Sequence, residues 1–354
     1  MKWLIYGAYG YSGALIAREA KARGLTPVLA GRNPDRLRPL TDELGLDWRA
    51  FALDRPDDLD GGLEGIGLVL HCAGPFSRTS APMIEACLRN GAHYLDITGE
   101  IDVFEHAHAQ ANRARLADVV LCPGVGFDVI PTDCVARVLA DELPDATHLL
   151  LGFDAASGLS PGTAKTAAES AGYGGRIRRD GRLITVPLGH APRRIDFGRG
   201  ATTAMTIPWG DVATAYYSTG IPNIAVYVPA SRRAIAAAKI ANYLRPLLRT
   251  GAVRAMLTGL AERYVTGPDL AARERGSTYV WGEARNSLGE VRTARVKTAS
   301  GYAVTVTGSL AVVQHLLETS VAGGSYTPSV LMGPRLVETL PGTDGPIVVS
   351  DQSI

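Results

Sequence analysis

The first 32 residues of the chain constrain its fold more than any other stretch. The apolar run Trp3–Tyr6 is followed by Gly7, Gly10 and Gly13, then by an apolar helical pattern and a second apolar run that ends at Arg32. Strand, glycine turn, helix and strand within about 30 residues are the pattern of a dinucleotide-binding unit. Gly7 permits the tight turn, Gly10 leaves room for a pyrophosphate, and Gly13 lets the helix pack closely on the strand.

The end of the second strand indicates which dinucleotide is expected. Sites for NAD(H) usually carry Asp or Glu there, whereas this chain has Gly31, Arg32 and Asn33. The planar, permanently charged guanidinium of Arg32 suits a 2′-phosphate, and Gly31 is expected to leave room for it. The sequence therefore predicts NADP(H), against the alternative that Arg32 is a solvated surface arginine.

Composition excludes several classes. A chain of 354 residues is long enough for two domains. Its 36 Lys+Arg against 35 Asp+Glu give no electrostatic case for nucleic acid. The four cysteines include no C-x-x-C pair, so neither a disulfide framework nor a metal site is predicted. The chain starts in a strand and has no apolar run long enough to span a bilayer, so we expect a cytoplasmic protein.

Alternating strand and helix patterns over the first 130 residues predict a Rossmann doubly wound parallel sheet. Strands are predicted at 3–6, 27–30, 49–53, 68–72, 94–97 and 119–122, and helices at 12–23, 34–44, 80–90 and 102–116. The ligand of such a sheet lies at the carboxyl ends of its strands. The predicted cofactor-binding residues are Gly7, Tyr9, Gly10, Tyr11, Ser12, Gly13, Arg32, Asn33, Asp54, Ala73, Gly74, Pro75, Phe76, Gly99, Glu100 and Phe127.

Two of these residues keep an alternative role. Asp54 either accepts a hydrogen bond from the adenine amino group or caps the helix that begins near Pro56. Phe76 either flanks the nicotinamide or packs in the core. Asp128 follows Phe127 in a stretch rich in glycine, proline and acids, which is typical of an irregular crossing near a ligand.

The second half of the chain loses this alternation and predicts an α+β domain built on a mostly antiparallel sheet. Strands are predicted at 148–155, 176–178, 183–186, 203–207, 213–218, 223–228, 278–284, 291–298 and 302–308, and helices at 163–171, 231–249, 252–264, 309–322 and 328–340. The expected domains are 1–131 for dinucleotide binding, 132–308 for substrate binding and dimerisation, and 309–354 for helices that return to the Rossmann domain.

Candidate catalytic residues are Lys165, Asp128 and Tyr217. Lys165 lies in the first turn of a predicted helix, where a cation opposes the helix dipole. An anionic substrate group would relieve that conflict, and a solvated lysine is the alternative. We rank Lys165 and Asp128 first as proton donors. The substrate pocket is expected near these residues and near 209–211.

Several motifs together resemble one family. They are the glycine turn, Ala30–Arg32, Ala73–Phe76, Tyr94–Glu100, Gly124–Asp133, Glu274–Gly276 and Tyr326–Gly333. The chain resembles the saccharopine dehydrogenase-like oxidoreductases, most of all their trans-acting enoyl reductase branch. The resemblance implies an NADP(H)-dependent reductase that transfers hydride to an activated C=C bond, or to a C=N bond, of a small or medium molecule.

A second class stays open at this point. The chain has no unmistakable catalytic acid, which favours an NADPH-binding redox sensor that regulates a partner without turnover. A homodimer is predicted, with its contact through the second domain's sheet or the helices of 231–264. Those helices carry apolar faces beside basic residues, so they suit a partner subunit, a lipid substrate or a membrane surface.

Overall fold

The chain forms two compact units in a computed structural model, which describes residues 1–155, 174–245, 250–251, 253, 256, 259 and 276–351. The first unit comprises Met1–Ile130 and Tyr302–Leu336, and the second comprises Pro131–Gly301 and Val337–Ile354. The chain leaves the first unit one residue before the predicted boundary. Residues 309–354, predicted as one returning piece, are divided between the two units.

A parallel sheet forms the centre of the first unit. Its strands are β1 (Trp3–Tyr6), β2 (Val28–Gly31), β3 (Trp48–Ala50), β4 (Leu68–His71), β5 (His93–Asp96), β6 (Val120–Cys122) and β15 (Gly324–Ser325). Their order is β15-β6-β5-β4-β1-β2-β3, and every pairing is parallel. Strands β1, β2 and β4 are buried along their whole length, as expected of a sheet covered on both faces. The predicted Rossmann sheet is confirmed.

Helices connect these strands. They are α1 (Tyr11–Ala22), α2 (Pro34–Leu44), α3 (Pro56–Leu63), α4 (Phe76–Asn90), α5 (Ile101–Ala109) and α6 (Ala111–Leu116). Helix α2 shows why they form where they do. The Asn33 side chain accepts hydrogen bonds from the backbone N–H groups of Asp35 and Arg36, Pro34 occupies the first turn, and Gly45 ends the helix in the left-handed conformation.

The second unit is built on a mixed, mostly antiparallel sheet. Its strands are β7 (Ala146–Ala155), β8 (Gly175–Arg179), β9 (Arg182–Val186), β10 (Arg193–Asp196), β11 (Ala201–Ile207), β12 (Asn223–Pro229), β13 (Ser277–Asn286), β14 (Val291–Ala299) and β16 (Asp344–Asp351). The main order is β10-β11-β12-β7-β13-β14-β16, and β8 joins β12 and β9. Among the described pairings of this second sheet, only that of β12 with β7 is parallel, and the others are antiparallel. The predicted second domain is confirmed in its class.

Helix α7 (Ile130–Glu142) packs on one face of this sheet. A Cβ placed on Gly282 would lie 2.6 Å from Val135 and 2.7 Å from Leu139. The helix and strand therefore approach each other more closely than any larger side chain at Gly282 would allow.

The predicted strand at 213–218 is wrong, because helix α8 (Asp211–Thr219) occupies this stretch. Gly220 ends the helix in the left-handed conformation. Val212, Ala213 and Ala215 are buried along it. The valine, threonine and tyrosine content of the stretch favours a strand, but packing of this buried face decides the structure.

The C-terminal predictions also need correction. Helix α10 (Gly301–Glu318) includes residues 302–308, which were predicted as a strand. Its buried Val304, Gly308 and Val312 recur at four-residue spacing, so helical packing overrides the β-branched content. Helix α11 (Pro328–Met332) and a short 3₁₀ turn (Leu336–Thr339) replace the predicted helix 328–340, and β16 was missed.

Two predicted helices cannot be compared with the structure. The helix at 163–171, which carries Lys165, and the helix at 252–264 lie outside the described residues. Helix α9 (Arg232–Ala241) lies within the predicted 231–249. Among the described residues, no helix is both long enough and apolar enough to cross a bilayer.

Candidate dinucleotide site

The glycine turn between β1 and α1 is closed tightly on itself. Gly7 has a φ of 83°, and a Cβ there would lie 2.8 Å from the backbone nitrogen of Ala73. The Gly10 N–H donates to the Gly7 carbonyl at 2.9 Å. A Cβ on Gly13 would run into that same carbonyl. The backbone therefore leaves no room for a side chain at Gly7 or Gly13, and the turn brings the start of α1 close to the ends of β1 and β4.

The first turn of α1 carries no acid of its own. This turn, Tyr11–Gly13, contains no acidic residue, and Gly10 makes no side-chain cap. Unpaired N–H groups at a helix start favour an anion. A helix start of this kind suits the pyrophosphate of a dinucleotide, and the assignment of Gly7, Gly10 and Gly13 to it stays a prediction.

Tyr9 fills the space above Gly31. A Cβ on Gly31 would lie 2.5 Å from Cε1 of the Tyr9 ring. The guanidinium of Arg36 lies over the same ring, 4.6 Å from its centroid. Sequence reasoning assigned this space to the cofactor phosphate, which is wrong, because an aromatic ring occupies it. Arg36 was missed, although its place in the first turn of α2, four residues after Arg32, could have indicated it.

Four polar residues meet at the ends of β1, β2 and β3. Burial raises the pKa of the Tyr6 phenol above its usual range, and Tyr9, Arg32 and Asp54 all lie close enough to influence that pKa. The Tyr6 hydroxyl donates to the Phe51 carbonyl at 2.9 Å. Arg32 and Asp54 are exposed. The structure therefore brings the predicted arginine and acid to one edge of the sheet.

Asn33 and Asp54 differ in how they are used. The Asn33 side-chain oxygen caps α2, so only its amide nitrogen is left for a ligand. Helix α3 begins after Arg55, and the described hydrogen bonds include none from α3 to the Asp54 carboxylate. The described hydrogen bonds therefore do not show the capping role of Asp54, and its contact with the adenine stays a prediction.

Glu100 holds the loop that follows β4. Its two carboxylate oxygens accept hydrogen bonds from the backbone N–H groups of Phe76 at 2.9 Å and Ser77 at 2.8 Å. These N–H groups open α4, so Glu100 acts as the anionic cap of that helix. The predicted cofactor residues Ala73, Gly74 and Pro75 form the loop that Glu100 thereby fixes, and Gly74 is exposed.

His71 fixes the same loop from beneath. Thr79 Oγ1 lies 2.9 Å from His71 Nε2 and donates to the Ala73 carbonyl at 2.7 Å. The Phe76 ring meets the His71 ring edge-on, with centroids 5.4 Å apart. Burial lowers the pKa of His71 to about 3, so it is neutral at physiological pH. Phe76 thus packs against the end of β4, and its place beside the nicotinamide stays a prediction.

Asp96 ties β5 to the loop after β6. Its carboxylate accepts hydrogen bonds from the Tyr94 hydroxyl at 2.7 Å, the Thr98 N–H at 3.0 Å and the Gly124 N–H at 2.8 Å. Burial raises the pKa of Asp96 to about 6 even though these hydrogen bonds favour the charged form. Asp96 therefore positions the loops that carry Gly99 and Asp128.

Asp128 lies against Gly99 at the carboxyl end of β5. A Cβ on Gly99 would lie 2.6 Å from Oδ2 of Asp128. Burial raises the pKa of Asp128 to about 7. Thr305, on α10, accepts a hydrogen bond from the Phe127 N–H at 3.1 Å. Thr305 was missed because residues 302–308 were predicted as a strand.

Tyr11 contacts a second residue of α10. Its ring meets the ring of Tyr302 edge-on, with centroids 5.0 Å apart. Ser12 follows Tyr11 in the first turn of α1. Helix α10 therefore contributes to the same edge of the first unit, which no pattern in the first 130 residues could indicate.

Tyr217 lies in the second unit, in helix α8. It is 37% exposed, and its ring packs against Tyr216 with centroids 5.8 Å apart. The guanidinium of Arg178 lies over both rings, at 4.2 Å from Tyr216 and 5.9 Å from Tyr217. Lys165 lies outside the described residues. Of the three predicted catalytic residues, Asp128 is the one that the structure places in the first unit.

A shallow open depression of about 720 Å³ lies elsewhere on the first unit. Its lining includes Lys2, Val28 and Trp48, which stand at the amino-terminal ends of β1, β2 and β3. A dinucleotide binds at the opposite, carboxyl edge of such a sheet. This depression is therefore unrelated to the site described above.

The fold and the glycine turn define a Rossmann dinucleotide-binding domain. Residues 3–120 match the family model of the saccharopine dehydrogenase NADP binding domain. The predicted resemblance to this family and the predicted cofactor, NADP(H), are thus confirmed.

Two curated relatives share sequence with this chain. A trans-acting enoyl reductase of Mycobacterium leprae is 34% identical over 172 residues, which are 42% of this chain and 40% of that protein. A probable mitochondrial saccharopine dehydrogenase-like oxidoreductase of Arabidopsis thaliana is 33% identical over 147 residues, or 37% of this chain and 32% of that protein. The match therefore spans well under half the length of these relatives.

A solved structure shares the fold across the whole chain. Apo saccharopine dehydrogenase (L-Glu forming) from Saccharomyces cerevisiae superimposes with a TM-score of 0.64 at 11% identity, covering 99% of this chain and 100% of that one. At this identity the similarity shows the fold and not the substrate.

Proposed function

We propose that this protein is an NADP(H)-dependent oxidoreductase that transfers hydride to an activated C=C or C=N bond of a small or medium substrate. The observation that carries the proposal is Asp128, a carboxyl group with a pKa of about 7 beside Gly99 at the carboxyl edge of a dinucleotide-binding sheet. A general acid works best when its pKa lies near the working pH. The sensor alternative rests on the lack of an unmistakable catalytic acid, and we propose Asp128 as that acid.

The glycine turn and two arginines support the cofactor assignment. The turn has no side chain at Gly7, Gly10 and Gly13, and the first turn of α1 contains no acid that would repel a pyrophosphate. Arg32 and Arg36 lie at the end of β2 and the start of α2, on the side where the adenosine ribose is expected. We assign the 2′-phosphate to both guanidinium groups, with Arg36 held in place over the Tyr9 ring.

Asp128 supplies the proton in the proposed reaction. NADPH, when bound, supplies the hydride. The Asp128 carboxyl would give its proton to the α-carbon of an enoyl substrate whose β-carbon accepts the cofactor's hydride. For a C=N bond it would give the proton to the nitrogen while the carbon accepts the hydride. Solvent then returns a proton to the carboxylate. Similarity to curated enoyl reductases favours C=C.

Lys165 and Tyr217 stay predictions. Lys165 is proposed to hold an anionic or carbonyl group of the substrate, and Tyr217 is a weaker donor candidate. Replacing Lys165 with Ala should raise KM with little change in kcat if it binds the substrate. Unchanged kcat and KM would remove Lys165 from the site.

Rapid-mixing absorbance at the NADPH band tests the proposal. Oxidation of NADPH by at least one member of a panel of enoyl thioesters and imines is expected. Asp128→Asn should slow that step, and Asp57→Asn, an exposed acid of the same unit, should not. Tight NADPH binding without oxidation by any member of the panel would instead favour the sensor.

The homodimer also stays a prediction, with its contact through the second domain's sheet or the helices of 231–264. Light scattering of the full chain at micromolar concentration tests it. A molecular mass near the 37.4 kDa of one chain would contradict it.

A further inference from the structure

Helix α9 is unusual for a surface helix because almost all of it faces outward. Of its ten residues, Arg232–Ala241, only Ile235 is buried. Ile235 and Ala238 lie beside Gly189, and the side chain of Asn242 bonds the backbone N–H and carbonyl of Leu188. These contacts fasten the helix along one side and leave the other side open.

The open side carries large apolar side chains. Ile240 is 62% exposed, Tyr243 is 87% exposed and Leu244 is 50% exposed. The Tyr243 N–H donates to the Ile240 carbonyl at 3.0 Å, so the chain continues its helical path beyond Ala241 and keeps these side chains within one turn. Met256, further along, is 57% exposed. Burying such a cluster in an apolar medium is favourable.

Positive charges lie among these apolar residues. Arg232, Arg233 and Lys239 are exposed. Arg233 lies two turns before Ile240, and Lys239 lies one turn before Tyr243, so charge and apolar surface share one face. From residue 231 to residue 261 the sequence has six basic residues and no acidic one, although the net charge of the whole chain is only +1.

We propose that the open side of α9, with Tyr243 and Leu244, docks on a bilayer surface that contains anionic phospholipid. Exposed apolar side chains interspersed with Lys and Arg are the pattern of a helix that lies in the interface plane, where the apolar groups enter the headgroup region and the cations meet lipid phosphates. Because arginine and lysine have long side chains, their charged ends can reach lipid phosphates while apolar groups on the same face enter the headgroup region.

Charge argues against a second copy of the chain at this surface. A two-fold contact places each residue of the patch near its own counterpart. Arg232, Arg233 and Lys239 would then face one another without an acid in 231–261 to neutralise them. A surface of negative headgroups has the complementary charge. The docking proposal is independent of the proposed reaction.

Vesicle flotation of the full chain tests the proposal. The chain should float with phosphatidylcholine vesicles that contain about one third phosphatidylserine, and it should float poorly with pure phosphatidylcholine. Raising the salt from 0.1 to 0.5 M should weaken the binding, because exposed charges are then screened.

Two double variants separate the charged from the apolar contribution. Arg232→Gln with Arg233→Gln should weaken binding to the anionic vesicles roughly 30-fold. Tyr243→Ser with Leu244→Ser should weaken it at least about tenfold, by loss of apolar burial. Leu288→Ser, an 82% exposed leucine of the same unit, is the matched apolar control and should bind normally. Lys21→Gln with Arg115→Gln is the matched charge control.

Each variant should keep its melting temperature and its affinity for NADPH, so loss of folding is separated from loss of docking. The proposal is overturned if the wild-type chain does not float with anionic vesicles at low salt. It is also overturned if the control variants weaken binding as much as the α9 variants, or if the α9 variants convert a dimer to a monomer in light scattering.

Discussion

The carboxyl group of Asp128 lies against the backbone of Gly99, so closely that a methyl group on Gly99 would approach Oδ2 to 2.6 Å. Gly99 follows β5 and Asp128 follows β6, and both belong to the first unit. The absence of a side chain at position 99 is therefore what leaves room for the carboxyl group of Asp128. The proposed proton donor depends on this pair.

Replacing Gly99 with Ala should displace the Asp128 side chain. We expect kcat for NADPH oxidation to fall roughly tenfold or more, because a small misplacement of a catalytic group is costly. Gly61→Ala is the matched control, since a Cβ there meets nothing within 4 Å and alanine suits a helix better than glycine. Equal kcat values for the two variants would count against the donor role.

Asp128 should also give stability a distinctive pH dependence. Its pKa is raised from 3.8 to about 7 by burial, so folding favours the protonated form. The contribution of this carboxyl group to the free energy of unfolding is full below about pH 4. It is lost as the pH rises toward 7, and the loss is at most ~4 kcal/mol. Asp128→Asn cannot ionise. Its melting temperature relative to wild type should therefore rise between pH 4 and pH 8, and a constant difference would contradict the raised pKa.

The pH dependence of activity should report the ionisation of the same carboxyl group, that of Asp128. A proton donor must carry its proton, so kcat/KM should fall above about pH 7, tenfold per pH unit. Initial rates between pH 5 and pH 9 measure this limb. Asp128→Asn should remove the limb along with most of the rate. A profile flat to pH 9 would assign the proton to another group.

The sequence predicted the Rossmann sheet well because its strands are short apolar runs separated by helical periodicity and glycine turns. Local chemistry decides those elements, as Asn33, Pro34 and Gly45 show for α2. The strand predictions failed at 213–218 and 302–308, where valine and threonine favour strands locally. Burial of one helical face, such as Val304 and Val312 of α10, reverses that preference.

The candidate site was only partly predictable for the same reason. Gly7, Gly10 and Gly13 follow from backbone requirements that act within a few residues. The contact of Tyr9 with Gly31 and the capping of α4 by Glu100 join residues about 22 and 24 positions apart. No periodic pattern connects such pairs. Thr305 accepts a hydrogen bond from the Phe127 N–H, and these two residues lie 178 positions apart in the sequence.

Glu100→Gln should loosen the loop after β4. The two carboxylate oxygens of Glu100 accept hydrogen bonds from the backbone N–H groups of Phe76 and Ser77, at the start of α4. Glutamine keeps one acceptor and loses the charge, so we expect a loss of about 1–2 kcal/mol in the free energy of unfolding. KM for NADPH should rise, because Ala73–Pro75 approach the expected nicotinamide region. Urea unfolding and NADPH titration measure the two effects.

Glu142→Gln is the matched control for that variant, because this exposed residue ends α7 in the second unit. It should leave both measurements near wild type. If Glu100→Gln also leaves NADPH binding unchanged while destabilising the fold, then Glu100 is purely a helix cap and its predicted cofactor role is withdrawn.

Arg32 and Arg36 should together decide the preference for NADPH over NADH. Each guanidinium can make a charge-assisted contact with the 2′-phosphate, worth roughly 1.5–3 kcal/mol or about ten- to a hundredfold in affinity. Arg32→Ala and Arg36→Ala should each weaken NADPH by that factor and leave NADH within about threefold. Arg36→Ala should also expose the Tyr9 ring, whose centroid lies 4.6 Å from the Arg36 guanidinium.

Arg38→Ala is the matched control, because Arg38 is an exposed arginine of the same helix, and it should change neither affinity. Fluorescence titration of both cofactors measures the ratio. Equal losses of NADPH and NADH would mean that the arginines hold a part common to both dinucleotides, and the 2′-phosphate would then need another partner at the end of β2.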